Sequence, residues 1–120
     1  MRLTMKIINR QQFLEITVGT VYAKYEPCIF GDLLIKCKSE GMENDWFYTE
    51  IADAIYCNDS IEMFEKLESS RIKGVSLPMD FDIMTRDGCF DKDQLFAVFE
   101  VADVVALIYR LGKALEGGGR

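Results

Sequence analysis

The C-terminal stretch constrains the fold of this chain most. Val101, Val104, Val105, Ile108, Leu111 and Leu115 recur at intervals of three and four. That spacing gathers side chains on one face of an α-helix. Asp103 lies near the start of the stripe, and Arg110 and Lys113 lie near its end. This order of charges suits the helix dipole. Gly117-Gly118-Gly119 stops the helix, and Arg120 completes a flexible tail. The pattern predicts a long amphipathic C-terminal helix.

Upstream, the signals mix helix and strand. Asn9-Arg10-Gln11-Gln12 forms a capping box, because Asn9 can accept from free amides while Gln12 reaches back. A short helix through about Ile16 should follow, carrying Phe13 to the core, with Met5 as an alternative start. Thr20 to Tyr25 alternates as a strand, with Val21, Ala23 and Tyr25 on one side and Tyr22 and Lys24 on the other. Pro27 and Gly31-Asp32 turn the chain into a second strand, Leu33 to Lys38, giving an antiparallel hairpin with a loop of several residues. Residues 39–44 make another turn, and Asp45 to Ile51 carries Trp46, Phe47 and Tyr48 as a third strand. Asp59 and Glu62 form a second capping signal for a helix over Ser60–Ser69, with Ile61, Phe64 and Leu67 at helical spacing. Leu77 to Thr85 alternates, placing Met79, Phe81 and Ile83 inward and Asp80, Asp82 and Met84 outward. Leu95 to Glu100 is apolar on both faces and reads as a central strand. The expected architecture is α+β: a small, mainly antiparallel sheet, two short helices and the long C-terminal helix, with helices on one sheet face. One domain spans residues 1–116, followed by the tail 117–120.

Composition narrows the function classes. A chain of 120 residues with 49% hydrophobic content can hold one core without staples. A net charge of −6 argues against a general grip on nucleic acid, which needs clustered Lys and Arg. It suits a basic protein partner or plain solubility. The acidic residues are interspersed with Lys and Arg, unlike the long acidic runs of a nucleic-acid mimic. The N-terminus lacks the apolar run of a signal peptide. The apolar stretch from Val101 to Leu111 is too short to cross a bilayer. Cys28, Cys37, Cys57 and Cys89 have no zinc-type spacing. They are expected to be reduced, buried thiols in a cytoplasmic protein, the host cytoplasm if the chain is phage-encoded. Histidine is absent, which removes the commonest general base and every His-activated nucleophile.

Two constellations could carry chemistry. Five aspartates lie between Asp80 and Asp93, around an Asp87-Gly88 turn signal. An EF-hand register fails, since Gly88 in sixth place puts Ile83 first and Gln94 last. Asp80, Asp82, Asp91 and Asp93 could hold magnesium and support a metal-assisted hydrolase, or form a solvated acidic face. Glu50 with Asp53 is a further carboxylate pair, but no cleft is legible. No metal and no cofactor is expected. The second constellation is aromatic and basic: Tyr22, Lys24 and Trp46 on strands could stack a nucleotide. Arg110 and Lys113, at an oligomer interface, could clamp its phosphates. The glycines at the C-terminus follow a helix instead of opening one, so they form no phosphate loop.

The whole chain resembles a type of small accessory protein, of unassigned function, found in tailed phages and prophages. The resemblance rests on Arg10-Gln11-Gln12-Phe13-Leu14, Gly19-Thr20-Val21-Tyr22, Lys24-Tyr25-Glu26-Pro27 and Leu33-Leu34-Ile35-Lys36. It continues in Met79-Asp80-Phe81-Asp82 and in Arg86-Asp87-Gly88-Cys89-Phe90-Asp91-Lys92-Asp93-Gln94-Leu95-Phe96. It implies a non-enzymatic binding protein, a counter-defence factor that occludes a host protein or sequesters a small nucleotide signal. The partner would be that host protein or nucleotide, with no direct contact to nucleic acid or membrane, and the protein would act as a homo-oligomer. A virion or replication accessory role is the remaining expectation.

Overall fold

The computed structural model describes residues 5–40, 45–52, 55–88 and 91–117. Expectations for the 41–44 turn, Asp53, Cys89 and the end of the glycine tail fall outside these residues. The element order is β1 (Met5–Asn9), α1 (Arg10–Leu14), β2 (Val21–Glu26), β3 (Ile29–Phe30), β4 (Leu34–Glu40) and β5 (Asp45–Glu50). It continues with α2 (Ser60–Lys73), β6 (Thr85–Asp87), β7 (Leu95–Phe99) and α3 (Val101–Glu116). The fold is α+β, with the expected long C-terminal helix. One sheet runs in the order β1-β7-β2-β4-β5-β6, with β3 paired to β2, and every pairing is antiparallel.

Local chemistry sets the first turns. The Asn9 capping box forms: Gln12 N donates to Asn9 Oδ1 at 2.9 Å, and Asn9 N donates to Gln12 Oε1 at 3.1 Å. The cap directs α1 so that Phe13 enters the core. Its ring stacks on Phe96 at 4.0 Å and meets Tyr22 at 4.6 Å and Trp46 at 4.9 Å. These four rings, with Leu34 and Val98, make up the buried cluster. β7 lies between β1 and β2, so Phe96, Ala97 and Val98 are buried from both faces, as its unbroken apolar run predicts. The sheet is strongly curled. Lys24 on β2 and Asp87 on β6 lie three places apart in the strand order, roughly 14 Å in a flat sheet. Their side chains nevertheless meet at 2.7 Å. The aromatic cluster fills the inside of that curl.

Several expectations change. No strand is expected before Asn9, yet β1 is an edge strand whose Met5–Asn9 pair with Phe99–Leu95. The segment 77–84 is not a half-buried strand. Only Met79 bridges, to Ile55, while Met79, Phe81 and Met84 are exposed. Asp82 N donates to Asp80 Oδ1 at 2.9 Å, a local side-chain bond that competes with a ladder. β6 therefore starts only at Thr85. It lies at the sheet edge, away from β7, so Asp87-Gly88 does not close a hairpin. Arg86 Nε meets Asp45 Oδ2 at 2.5 Å, and Asp87 meets Lys24. Among the described cysteines, Cys28 is exposed and Cys37 and Cys57 are half-buried, not fully packed.

The helices bring the largest correction. They were expected to lay their apolar faces on the sheet. Neither α2 nor α3 buries a single side chain. On α3 the half-buried residues, from Ala102 to Leu107, crowd its first two turns. On α2 the half-buried residues are mostly polar: Glu62, Lys66, Glu68, Ser69 and Ser70, with Met63. Lys66 Nζ donates to Tyr56 O at 2.6 Å and pairs with Glu62 at 2.8 Å. The radius of gyration is 16.5 Å, against about 13.6 Å for a compact chain of this length.

Candidate functional site

The inside of the curled sheet divides into a closed end and an open end. At the closed end, Trp46 Nε1 donates to the Tyr22 hydroxyl at 2.9 Å, and both side chains are fully buried. Burial, the largest influence, pushes the Tyr22 phenol well above its ordinary value, so it stays neutral. Lys36 is also buried: Nζ donates to Ile16 O at 3.2 Å and Cys37 O at 3.3 Å, and sits 5.8 Å from the Phe13 ring centre. Loss of solvation lowers its pKa. These groups hold β4 to the α1 exit and leave no face for a ligand to stack on.

The open end presents a polar pocket of about 160 Å³ lined by Lys24, Gly31, Asp32, Leu34, Tyr48, Glu50 and Asp87. Lys24 Nζ is 2.7 Å from Asp87 Oδ2 and 5.9 Å from the Trp46 ring centre. Gly31 N donates to Lys24 O at 2.7 Å, and a Cβ on Gly31 would lie 3.2 Å from that oxygen. The backbone thus closes tightly behind Lys24. One cation stands against three carboxylates, so the pocket favours donors over a phosphate. Its volume is well below the roughly 300–1,000 Å³ of ordinary ligand sites.

The expected ligand residues are therefore only partly gathered. Tyr22, Lys24 and Trp46 come together, but the two rings face the core. Arg110 and Lys113 sit exposed on α3, where Lys113 Nζ lies 5.6 Å from the Tyr109 ring centre and 3.5 Å from Glu116. The aspartates bond to their own local backbone. Asp80 caps the backbone of Asp82, and Asp91 Oδ1 accepts from Asp93 N at 2.9 Å. Asp93 lines a 500 Å³ groove with Asn9, Arg10 and Lys92. Among the described residues, no three His, Cys, Asp or Glu side chains converge as metal ligands. No described helix is long and apolar enough to cross a membrane.

Sequence reasoning missed the largest surface feature. α2 and the segment after it expose Ile61 (71%), Phe64 (65%), Ile72 (65%), Met79, Phe81 and Met84. α3 exposes Val101, Val105, Ile108, Leu111 and Leu115 at between 58 and 81%. The chain exposes 8800 Å², whereas a folded monomer of 13.7 kDa should expose about 6,600 Å². The spacing of these residues was legible; which side of each helix the sheet would take was not. Comparison with protein-family models, curated proteins and solved structures found no match.

Proposed function

We propose that the protein is a non-enzymatic, phage-encoded binding protein that acts by occluding a host protein. The observation that carries this reading is the exposed face of α2, which presents Ile61, Phe64 and Ile72 to solvent while Lys66 is held on the backbone of Tyr56. Contiguous exposed apolar surface of this kind marks interaction sites. Its aromatic and methionine content, with Phe64, Met79, Phe81 and Met84, matches the composition of interfaces between separately folded partners. The charged Glu65, Glu68 and Arg71 between these residues would form a polar rim. The phage origin rests on the sequence resemblance. Sequestration of a small nucleotide is less well supported, because the Lys24 pocket is small and rich in carboxylates. A metal-assisted hydrolase is less well supported still, because among the described residues no three acidic side chains converge as metal ligands.

The test is expression in bacterial strains that each carry one antiphage defence system, scored by plaque counts. Restored plaquing by the wild type, lost in both Ile61→Asp and Phe64→Asp, is the expected result. No restoration in any strain would overturn the counter-defence reading. Restoration that survives both substitutions, with thermal stabilisation by a cyclic or ADP-ribose-type nucleotide, would favour sequestration instead.

A further inference from the structure

The exposed face of α3 differs in kind from that of α2. Val101, Val105, Ile108, Gly112 and Leu115 follow one another at spacings of four, three, four and three. This is the alternating four-and-three spacing with which one helix packs along another. The side chains on it are aliphatic, like a domain core cut in half, as in permanent self-association. Gly112 lies within the seam, and a Cβ there would meet nothing within 4 Å. A mid-helix glycine gives up helix propensity, and nothing within the chain uses the space. At the base of α3 lies a groove of about 640 Å³, with Val18, Val98, Val101 and Val105 on its walls and Lys6 and Glu100 at its mouth.

We propose that α3 is a self-association element: two copies pair antiparallel through it, and the last turn of each seats in the groove at the base of the other. A register centred between Ala106 and Leu107 accounts for each feature. Val105 then meets Ile108 of the other copy, and Val101 lies over Gly112, where the absent side chain lets the helices approach. Leu115 of the other copy then passes beyond Val101 towards the groove. The carbonyl end of that helix, which carries partial negative charge, arrives beside the Lys6 ammonium. The antiparallel arrangement sets the two sheets at opposite ends of a helix pair about 24 Å long, so they do not collide. The excess of about 2,200 Å² over a compact monomer is shared between the α2 and α3 faces, and the α3 share is available for a second copy. This association is separate from the host partner assigned to α2, and either can fail alone.

Sedimentation velocity over a hundredfold range of concentration, with amine-reactive cross-linking and mass spectrometry, tests the proposal. The wild type should sediment at twice the chain mass. Ile108→Asp and Leu115→Asp should each sediment at the chain mass with unchanged far-ultraviolet circular dichroism, while Phe64→Asp stays dimeric. Leu115 lies in the last turn, beyond the half-buried part of α3, so its variant separates loss of association from loss of folding. The dimer band should yield a cross-link between Lys6 and Lys113 that the Leu115→Asp variant lacks. A monomeric wild type would overturn the proposal. So would a dimer that persists in Leu115→Asp but is lost in Phe64→Asp. A cross-link joining only Lys113 to Lys113 would mean a parallel pair and would also overturn it.

Discussion

Replacing Tyr22 with Phe isolates one buried hydrogen bond and so tests the packing that organises the curled sheet. Both partners are fully buried, and the donor–acceptor distance is 2.9 Å. The ring of residue 22 would remain, with its contacts to Phe13 at 4.6 Å and Phe96 at 6.1 Å. The loss is therefore mainly the hydroxyl, which leaves the Trp46 indole N–H desolvated and without an acceptor. An orphaned buried donor costs about 1–3 kcal/mol. At about 4 °C per kcal/mol for a chain of this size, a cost near 2 kcal/mol lowers Tm by about 8 °C. Urea unfolding followed by far-ultraviolet circular dichroism reads this directly at a fixed protein concentration, and it serves equally in a background without the single tryptophan. The same substitution in a Trp46→Phe background removes no donor's partner and should cost less than about 0.5 kcal/mol. Equal costs in the two backgrounds, or a Tyr22→Phe cost under about 0.3 kcal/mol, would refute the pairing.

Two further substitutions probe local features. Cys28 adopts φ 69° in the turn between β2 and β3, a left-handed conformation that Gly enters without steric cost. Cys28→Gly should raise stability by about 0.5–1 kcal/mol in a denaturant titration, and a loss would show that the side chain contributes more than the strain costs. Lys36 has a pKa lowered from 10.5 by loss of solvation. Between the folded and unfolded pKa values the unfolded chain binds more protons, so stability rises with pH across that window and is lost as pH falls through the folded value. Wild type compared with Lys36→Met should thus gain relative stability as pH climbs towards 10.5, and a flat difference would contradict the burial of the ammonium.

Legibility in the sequence followed the range of each interaction. The Asn9–Gln12 cap and the α3 limits are local and were read correctly, as was the antiparallel pairing of β2 with β4, although the loop between them holds the short strand β3. β7 was recognised because a strand covered on both faces needs an unbroken apolar run. β1 was missed because Met5, Ile7 and Ile8 fit strand or helix equally, and its partner lies about ninety residues away. Leu77–Thr85 misled because Met79, Phe81 and Ile83 alternate as a strand should, yet Asp80 bonds the backbone and interrupts the ladder. Trp46 and Tyr22 were read as a stacking surface; Phe13, arriving from α1, covers both. Periodicity showed that α2 and α3 each have an apolar side. It carried no information on whether that side meets the chain's own sheet or another protein.

The central claim is that the two exposed helix faces serve different protein contacts, with α3 already covered by a second copy in solution. Amide hydrogen exchange on the purified protein tests it most directly, peptide by peptide. At high concentration the amides of Val101–Glu116 should be strongly protected, and dilution or Leu115→Asp should release them, while those of Ser60–Lys73 exchange alike in all three conditions. Rapid exchange of α3 at every concentration, or concentration-dependent protection confined to α2, would contradict the account.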